Sequence, residues 1–427
     1  MSTAKTITKT KLFWRGKTIF LPEYLRVLSL GGMPGVRKYL EMLYLTVENE
    51  RLVEHTKKAV VQLFVPPIPS RPFARYLRSY TNSLVLHKND LHLGTVLIAT
   101  TNECPYDCWY CSAGNTPQGE LSTDSIEQIL NVLRSWGTSI IGFTGGEPLL
   151  RIDTDEIIQH FSDDFTFMVF TSGHGLDLNR AKELKKNGLF FVAISLDDYR
   201  AARHDRARGR RGAFKTSLDA IKNAKTAGLY TIIQSVVTSG LLENGRMWNF
   251  LEFVQQTGAD ELLLLEPLGT GNLLYNNDNA FLTTQERKKL RWFHEAALSH
   301  RNLPKISSFA DFEDKSRFGC GAGIQHAYID GQGNLWPCNF LPISLGNMIS
   351  EPEVVHRRLQ KYFAHPCNEC ILMSKRKQLQ KLARQEMPIP FSRVKSLLHS
   401  HLRTSERGGL PAFYAAMATG NGRENNQ

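Results

Sequence analysis

From Thr95 to about residue 265, short apolar runs alternate with longer stretches in which apolar residues recur every three or four positions. That alternation is how a parallel sheet with crossover helices appears in sequence. It predicts strands near 95–101, 139–144, 166–171, 190–196, 230–237 and 261–265, with helices near 123–136, 154–161, 178–187, 213–227 and 246–257 in the intervals. A further helix is expected at 283–300, and Tyr328 to Trp336 reads as a hairpin turned at Gly331-Gln332-Gly333-Asn334. Periodicity alone gives an α/β fold without saying whether the sheet closes.

The first 94 residues carry a different pattern. Pro34 can start a helix with Val36, Leu40, Leu43 and Val47 on one face, and Leu52, Thr56, Ala59 or Val60, and Leu63 continue the spacing into another. The segment Pro66-Pro67-Ile68-Pro69-Ser70-Arg71-Pro72 cannot continue a helix and reads as an extended strap. Residues 1–94 are thus expected to form a separate helical region that recognises substrate or a surface, and deleting residues 1–65 should leave the rest working on its cofactor. Basic residues beside Leu21, Tyr24, Leu25 and Leu28 offer an alternative, peripheral contact with an anionic membrane. The stretch 375–427 is basic, with Arg376, Lys377, Lys381, Arg384, Arg393, Lys395, Arg403 and Arg407, and its polar Gly/Asn end is expected to be disordered.

A chain of 427 residues can bury a full enzyme core. Its formal net charge of +11 invites a nucleic-acid reading, but the excess sits at the two ends and forms no aromatic-interleaved stripe, so nucleic acid is disfavoured. No apolar run approaches a membrane span and Met1 to Lys17 lacks the apolar core of a secretory signal, so a cytoplasmic protein is expected. An odd number of thiols in a reducing compartment points to metal ligation, and the seven cysteines divide into three (Cys104, Cys108, Cys111) and four (Cys320, Cys338, Cys367, Cys370). Three plus four is what one open and one closed cluster require.

Cys104, Cys108 and Cys111 stand in Thr-Asn-Glu-Cys-Pro-Tyr-Asp-Cys-Trp-Tyr-Cys, directly after the first expected strand. Their spacing lets one loop supply three thiolates to a single cluster and leaves one iron open, although a structural zinc loop would use the same atoms. With Thr144-Gly145-Gly146-Glu147-Pro148 after the next strand, the chain resembles the radical S-adenosylmethionine (SAM) superfamily over about residues 95–370. The resemblance implies an open, partial (β/α)6 TIM-like barrel over 95–305 and a [4Fe-4S] cluster on the three cysteines with SAM on its open iron. It also implies a reductant such as flavodoxin or ferredoxin, and a 5′-deoxyadenosyl radical that abstracts hydrogen from a peptide or small-molecule substrate.

The same resemblance assigns roles. The segment Gly145, Gly146, Glu147 and Pro148 would receive the SAM amino group, and Tyr110 would lie near the adenine or serve only as loop packing. Ser195 and Asp197 would meet the ribose and carboxylate, with Thr171 and Ser172 as weaker candidates of the same type; the alternative is a strand-end cap. Arg208, in His204-Asp205-Arg206-Ala207-Arg208-Gly209, would pair with the SAM carboxylate unless the run is a solvated charge cluster. Gln234 is a polar group of the cavity or a core amide, and Glu266, Gly269 and Gly271 are candidates for the floor. No residue stands out as a catalytic acid or base. The four later cysteines resemble the SPASM extension or its shorter relative, twitch, over 306–374. With no cysteine after Cys370, one auxiliary [4Fe-4S] cluster is favoured and structural zinc is the alternative. Two other functional readings stay open: a lipid- or cofactor-modifying radical SAM enzyme at the membrane face, and a non-catalytic zinc or iron-sulfur protein.

Overall fold

The computed structural model describes residues 5–88, 93–116, 119–275, 280–300, 302–363 and 366–418, with backbone only over 401–408. After β1 (Lys5–Thr6), Thr8 caps α1 (Lys9–Val47), whose backbone breaks at Gly32, with φ 58°, just before Pro34. The two arms fold back on each other: the Tyr39 hydroxyl donates to the Phe20 carbonyl at 3.1 Å, and Lys9 Nζ lies 4.8 Å from the Tyr44 ring. A helix does follow Pro34, but its inward residues are Val36, Tyr39 and Met42, while Leu40 is 53% exposed.

The helix expected over residues 52–63 does not form. Val53–His55 (β2) and Lys58–Val60 (β3) pair as an antiparallel hairpin turned at Thr56 and Lys57, both with positive φ as a two-residue hairpin turn demands. Tertiary burial overrides the helical spacing here. Val53, Val60 and Leu63 pack among Met168, Phe191, Tyr230 and Ile232 at the base of the barrel, and His55 Nε2 lies 3.1 Å from the Gly228 carbonyl oxygen. The Pro-rich strap is tied to the hairpin by reciprocal Ala59 and Ile68 backbone hydrogen bonds of 2.7 and 2.9 Å, then enters α2 (Arg71–Tyr80) through the Ser70 cap. The region before Thr95 thus combines helices with a hairpin that packs against the barrel base.

The barrel elements follow the expected order. They are β4 (Thr95–Thr101), α3 (Thr123–Ser135), β5 (Ile140–Gly145), α4 (Thr154–Phe161), β6 (Thr166–Thr171), α5 (Leu178–Lys186), β7 (Phe191–Ser195), α6 (Ala201–Ala207), α7 (Ala213–Thr226), β8 (Tyr230–Val236), α8 (Arg246–Thr257) and β9 (Glu261–Leu265). After α9 (Thr284–Leu298) three more strands extend the sheet from residue 305 on: β10 (Lys305–Ser308) beside β9, and β11 (His326–Ile329) beside β4 with β12 (Leu335–Trp336) antiparallel to it. The order is β10-β9-β8-β7-β6-β5-β4-β11-β12. Lys-Ile-Ser-Ser has no apolar run to announce a strand; Lys305 is nonetheless buried, 3.0 Å from Glu50.

Period-two alternation separates the sheet's faces. Val96, Ile98, Ile141, Phe143, Val169 and Val192 pack outward under the helices. Leu97, Gly142, Met168, Phe170, Gln234 and Leu263 face one shared interior, which is what curvature into a partial barrel produces.

Beyond residue 340 the chain forms β13 (Ile343–Ser344), α10 (Pro352–Tyr362), α11 (Ile371–Ala383), β14 (Ile389–Pro390), α12 (Phe391–Gly408) and α13 (Ala412–Ala418), with β13 and β14 parallel. The basic stretch after Lys375 is thus packed structure through residue 418. Leu379, Ile389, Val394 and Leu398 enter the main core, and Phe413, Tyr414 and Met417 join the core of α1. The polar Gly/Asn end lies outside the described residues. Among the described residues, no helix is long and apolar enough to cross a membrane.

Candidate active site

The loop after β4 that carries Cys104, Cys108 and Cys111 is held from three sides. From β5, Gly146 N donates to the Thr101 carbonyl and Glu147 N to the Glu103 carbonyl, each at 2.8 Å. The approach needs glycine: a Cβ at Gly145 would lie 2.3 Å from the Thr101 oxygen and one at Gly146 2.1 Å from the Glu103 oxygen. After β9, Asn272 donates through Nδ2 to the Cys108 carbonyl at 2.8 Å and through its backbone N to the Cys111 carbonyl at 2.9 Å. After α6, Asp107 N donates to the Arg208 carbonyl at 3.1 Å, and Arg210 Nη1 to the Pro105 carbonyl at 2.8 Å.

Asp197, just past β7, is the hub of the wall opposite. It accepts from Arg208 Nε at 2.8 Å, from Val236 N at 3.0 Å and from the Tyr110 hydroxyl, while its own N donates to His204 Nδ1 at 3.1 Å. Burial works to raise its carboxyl pKa, but the neighbouring Arg208 and the donors outweigh it and hold the group below the usual aspartate range. Arg208 lies over the Tyr110 ring at 5.4 Å and its Nη1 is 3.8 Å from Cys108 Sγ. A guanidinium fixed by a buried carboxylate keeps one edge free for an anionic ligand.

Glu147 braces the strand ends beside the cysteine loop. Its carboxylate accepts from Leu149 N at 3.2 Å, Thr171 Oγ1 at 2.7 Å, Ser172 N at 2.8 Å and Ser172 Oγ at 2.6 Å. It staples the end of β5 to the end of β6; Glu147 and Pro148 are not among the residues that line the cavity. Burial raises its pKa despite those four donors.

Cys104, Cys108, Cys111, Tyr110, Gly145, Gly146, Ser195, Arg208 and Gln234 all line one cavity at the carboxyl ends of the strands, together with Thr171, Ser172 and Glu266. Asp197 stands behind it. Glu266 is held by Arg287 Nε at 2.5 Å, whereas Gly269 packs under Arg376 and Gly271 under the Cys111 carbonyl. Asn272 was missed by sequence reasoning; its only local signal is the Gly-Thr-Gly-Asn turn after β9.

The donor set suits the implied groups: three thiols open on one space, a bare glycine wall faces them, and a fixed cation stands beside them. Burial pushes all three thiols up, Cys108 to about 11 although Arg208 pulls the other way, so ligation must displace their protons.

The four later cysteines also converge. Cys320 N donates to the Cys367 carbonyl at 2.8 Å, Cys338 packs against the same pair, and the Cys320 and Cys370 thiols are hydrogen-bonded to each other. Cys370 borders a cleft that shares Leu265, Glu266, Leu268, Phe309 and Phe340 with the main cavity. Among the described residues no three Cys, His, Asp or Glu side chains stand at the spacing of a single-ion site; what the fold sets is the direction in which the sulfurs gather.

His204 gives the wall a pH dependence. Burial holds its pKa down at about 4, from an ordinary 6.5, against the opposing pull of Asp197. The unfolded chain therefore binds a proton that the folded chain refuses between those values, and stability falls as pH drops from 6.5 towards 4. Thermal melts should show that loss, amounting to roughly 3 kcal/mol across the window. His204→Gln should flatten the slope over this interval; an unchanged slope would mean that His204 is not its source.

The Radical SAM superfamily model matches residues 98–254. The AdoMet-dependent heme synthase of Methanosarcina barkeri is 26% identical over 279 residues, covering 59% of this chain and 78% of that protein. The PqqA peptide cyclase of Streptomyces rochei is 27% identical over 300 residues, covering 64% and 80%. Among solved structures, anSMEcpe with bound AdoMet and Cp18Cys peptide superposes with a TM-score of 0.52 at 18% identity, covering 63% of this chain and 81% of that one. Streptococcus suis SuiB bound to its precursor peptide SuiA gives 0.50 at 16% identity, covering 63% and 65%; at these identities both show the fold. The Radical SAM match over residues 98–254, the relatives named as synthase and cyclase, and the shared fold together support a radical SAM enzyme, and that superfamily implies SAM and a [4Fe-4S] cluster.

Proposed function

We propose that Cys104, Cys108 and Cys111 hold the catalytic [4Fe-4S] cluster, that Gly145, Gly146, Ser195 and Arg208 receive SAM, and that hydrogen is abstracted from a peptide or small-molecule substrate in the cavity beyond. The observation that carries this is the opening of the three thiols, the glycine wall and the Arg208 guanidinium onto one space. A cluster on these three cysteines, reduced by a flavodoxin or ferredoxin, would supply the one-electron reductive cleavage of SAM to methionine and a 5′-deoxyadenosyl group able to abstract hydrogen. The chain's own contribution is position and shelter. Arg208, fixed by Asp197, offers its fork to the SAM carboxylate, Gly146 lets the ligand approach the backbone, and the hairpin β2–β3 seals the base of the barrel against water.

In this reading Cys320, Cys338, Cys367 and Cys370 hold one auxiliary [4Fe-4S] cluster at the cleft beside the cavity, where it would border a bound substrate. The relatives named for a peptide and for heme leave both substrate classes in view. Anaerobically reconstituted protein should contain about eight iron and eight sulfide per chain. It should also form 5′-deoxyadenosine when reduced with SAM, and deuterium from the true substrate should appear in that product. Stoichiometric zinc with about half the iron would remove the auxiliary cluster, and absence of 5′-deoxyadenosine would remove the whole reading.

A further inference from the structure

Fifteen large apolar side chains are exposed among the described residues, and nine of them lie on α1. The packing of α1 is already satisfied by its inward face, where Leu12, Phe20, Val27, Val36, Tyr39 and Met42 are buried. The opposite face of a surface helix normally carries charge. Here Trp14, Leu21, Leu25 and Leu28 form an outward stripe at helical spacing, and Leu30 and Met33 crown the turn where the arms reverse.

The charges are arranged around this apolar surface. Between Val27 and Val36 the chain has no ionisable residue; just past the turn Arg37 is exposed, whereas Arg26 pairs with Glu23 and Lys38 is buried with Nζ 3.0 Å from His87 Nε2. Over the whole of α1 seven lysines and arginines stand against two glutamates; Lys11 and Arg15 pair with Glu54 and Arg26 with the inward-turned Glu23, so Lys9, Lys17 and Arg37 are the outward cations. Lys17 Nζ lies 5.2 Å from the exposed Trp14 ring.

An uncharged apolar tip flanked by cations, on a helical hairpin with no span long enough to cross, is the build of an element that lies in a lipid interface. We propose that α1 docks this enzyme on an anionic bilayer surface. Leu30 and Met33 at the turn, with the Trp14 stripe, enter the boundary between headgroups and acyl chains, while Lys17 and Arg37 meet the lipid phosphates. A second copy of the chain is the poorer occupant, because a two-fold contact would lay this cationic face against itself.

The test is flotation of full-length protein with vesicles of phosphatidylcholine containing phosphatidylglycerol, beside vesicles of phosphatidylcholine alone. Wild type should float with the anionic vesicles, and high salt should weaken that binding. Leu30→Glu with Met33→Glu should reduce partition by about tenfold or more, and Lys17→Gln with Arg37→Gln should reduce it on anionic vesicles only. Both double variants should keep the wild-type melting temperature and basal 5′-deoxyadenosine formation, and Trp292→Glu, exposed elsewhere, should bind like wild type. No flotation of wild type, or undiminished flotation of the Leu30 and Met33 variant, would overturn the proposal. So would a stable dimer that this variant dissociates, since the face would then belong to a second copy.

Discussion

Replacing Cys104, Cys108 and Cys111 together by Ala will reduce 5′-deoxyadenosine formation to background while leaving the protein folded and about half of its iron in place. The expectation follows from where the loop is tied. Its backbone bonds run to Asn272, to Gly146 and Glu147, and to Arg208 and Arg210, through carbonyl and amide groups that the substitutions leave untouched. The lost atoms are the three sulfurs lining the cavity, and without them no cluster is held to reduce SAM. The other four cysteines gather around the Cys320–Cys367 backbone pairing, in a separate small cluster of side chains. Iron and sulfide analysis, a melt and product chromatography read the three consequences separately. Wild-type levels of 5′-deoxyadenosine from the triple variant would show that SAM is reduced elsewhere.

Deleting residues 1–65 will unfold the barrel or leave it insoluble, contrary to what the Pro-rich strap suggests. The deletion removes Val53, Val60 and Leu63 from the barrel base and uncovers Phe191, Tyr230 and Ile232. Each such side chain contributes about 1.5–3 kcal/mol of burial, against a total stability on the order of 5–15 kcal/mol. It also removes Glu50, which pairs with the buried Lys305 of β10 and with Arg317; Arg317 keeps Asp311, but Lys305 is left buried without its carboxylate. The point variant Val60→Asp isolates the first effect. It should cost about 3–5 kcal/mol in chemical denaturation by placing a carboxylate in an apolar plug. A truncated protein that melts cooperatively and retains its iron would show that the region is a separate unit after all.

The two expectations differ in how far apart in the chain their causes lie. Six strands of the barrel and the helices between them are legible because each carries its own signal, an apolar run such as Thr95–Thr101 or an amphipathic stretch such as Thr154–Phe161, and burial on both faces of the sheet keeps that signal strong. The three-cysteine spacing is local for the same reason, since one loop holds all three cysteines. The hairpin at 53–60, the strand at 305–308 and the packed helices after residue 375 carry weak or misleading local signals. Lys305 can lie in a strand only because Glu50, far away in sequence, comes to meet it. Glu147 shows the same limit within a motif: its position was legible, but Thr171 and Ser172 turn it into a brace. Asp197 likewise becomes a hub only once Tyr110, Arg208 and Val236 surround it. Sequence alone determined the parallel α/β order, the three-cysteine loop and the glycine wall, because those depend on residues near one another in the chain. Tertiary structure alone decided which polar groups face the cavity, what seals its base and where the apolar face of α1 is left uncovered, because each depends on a partner that folding brings from a distant segment.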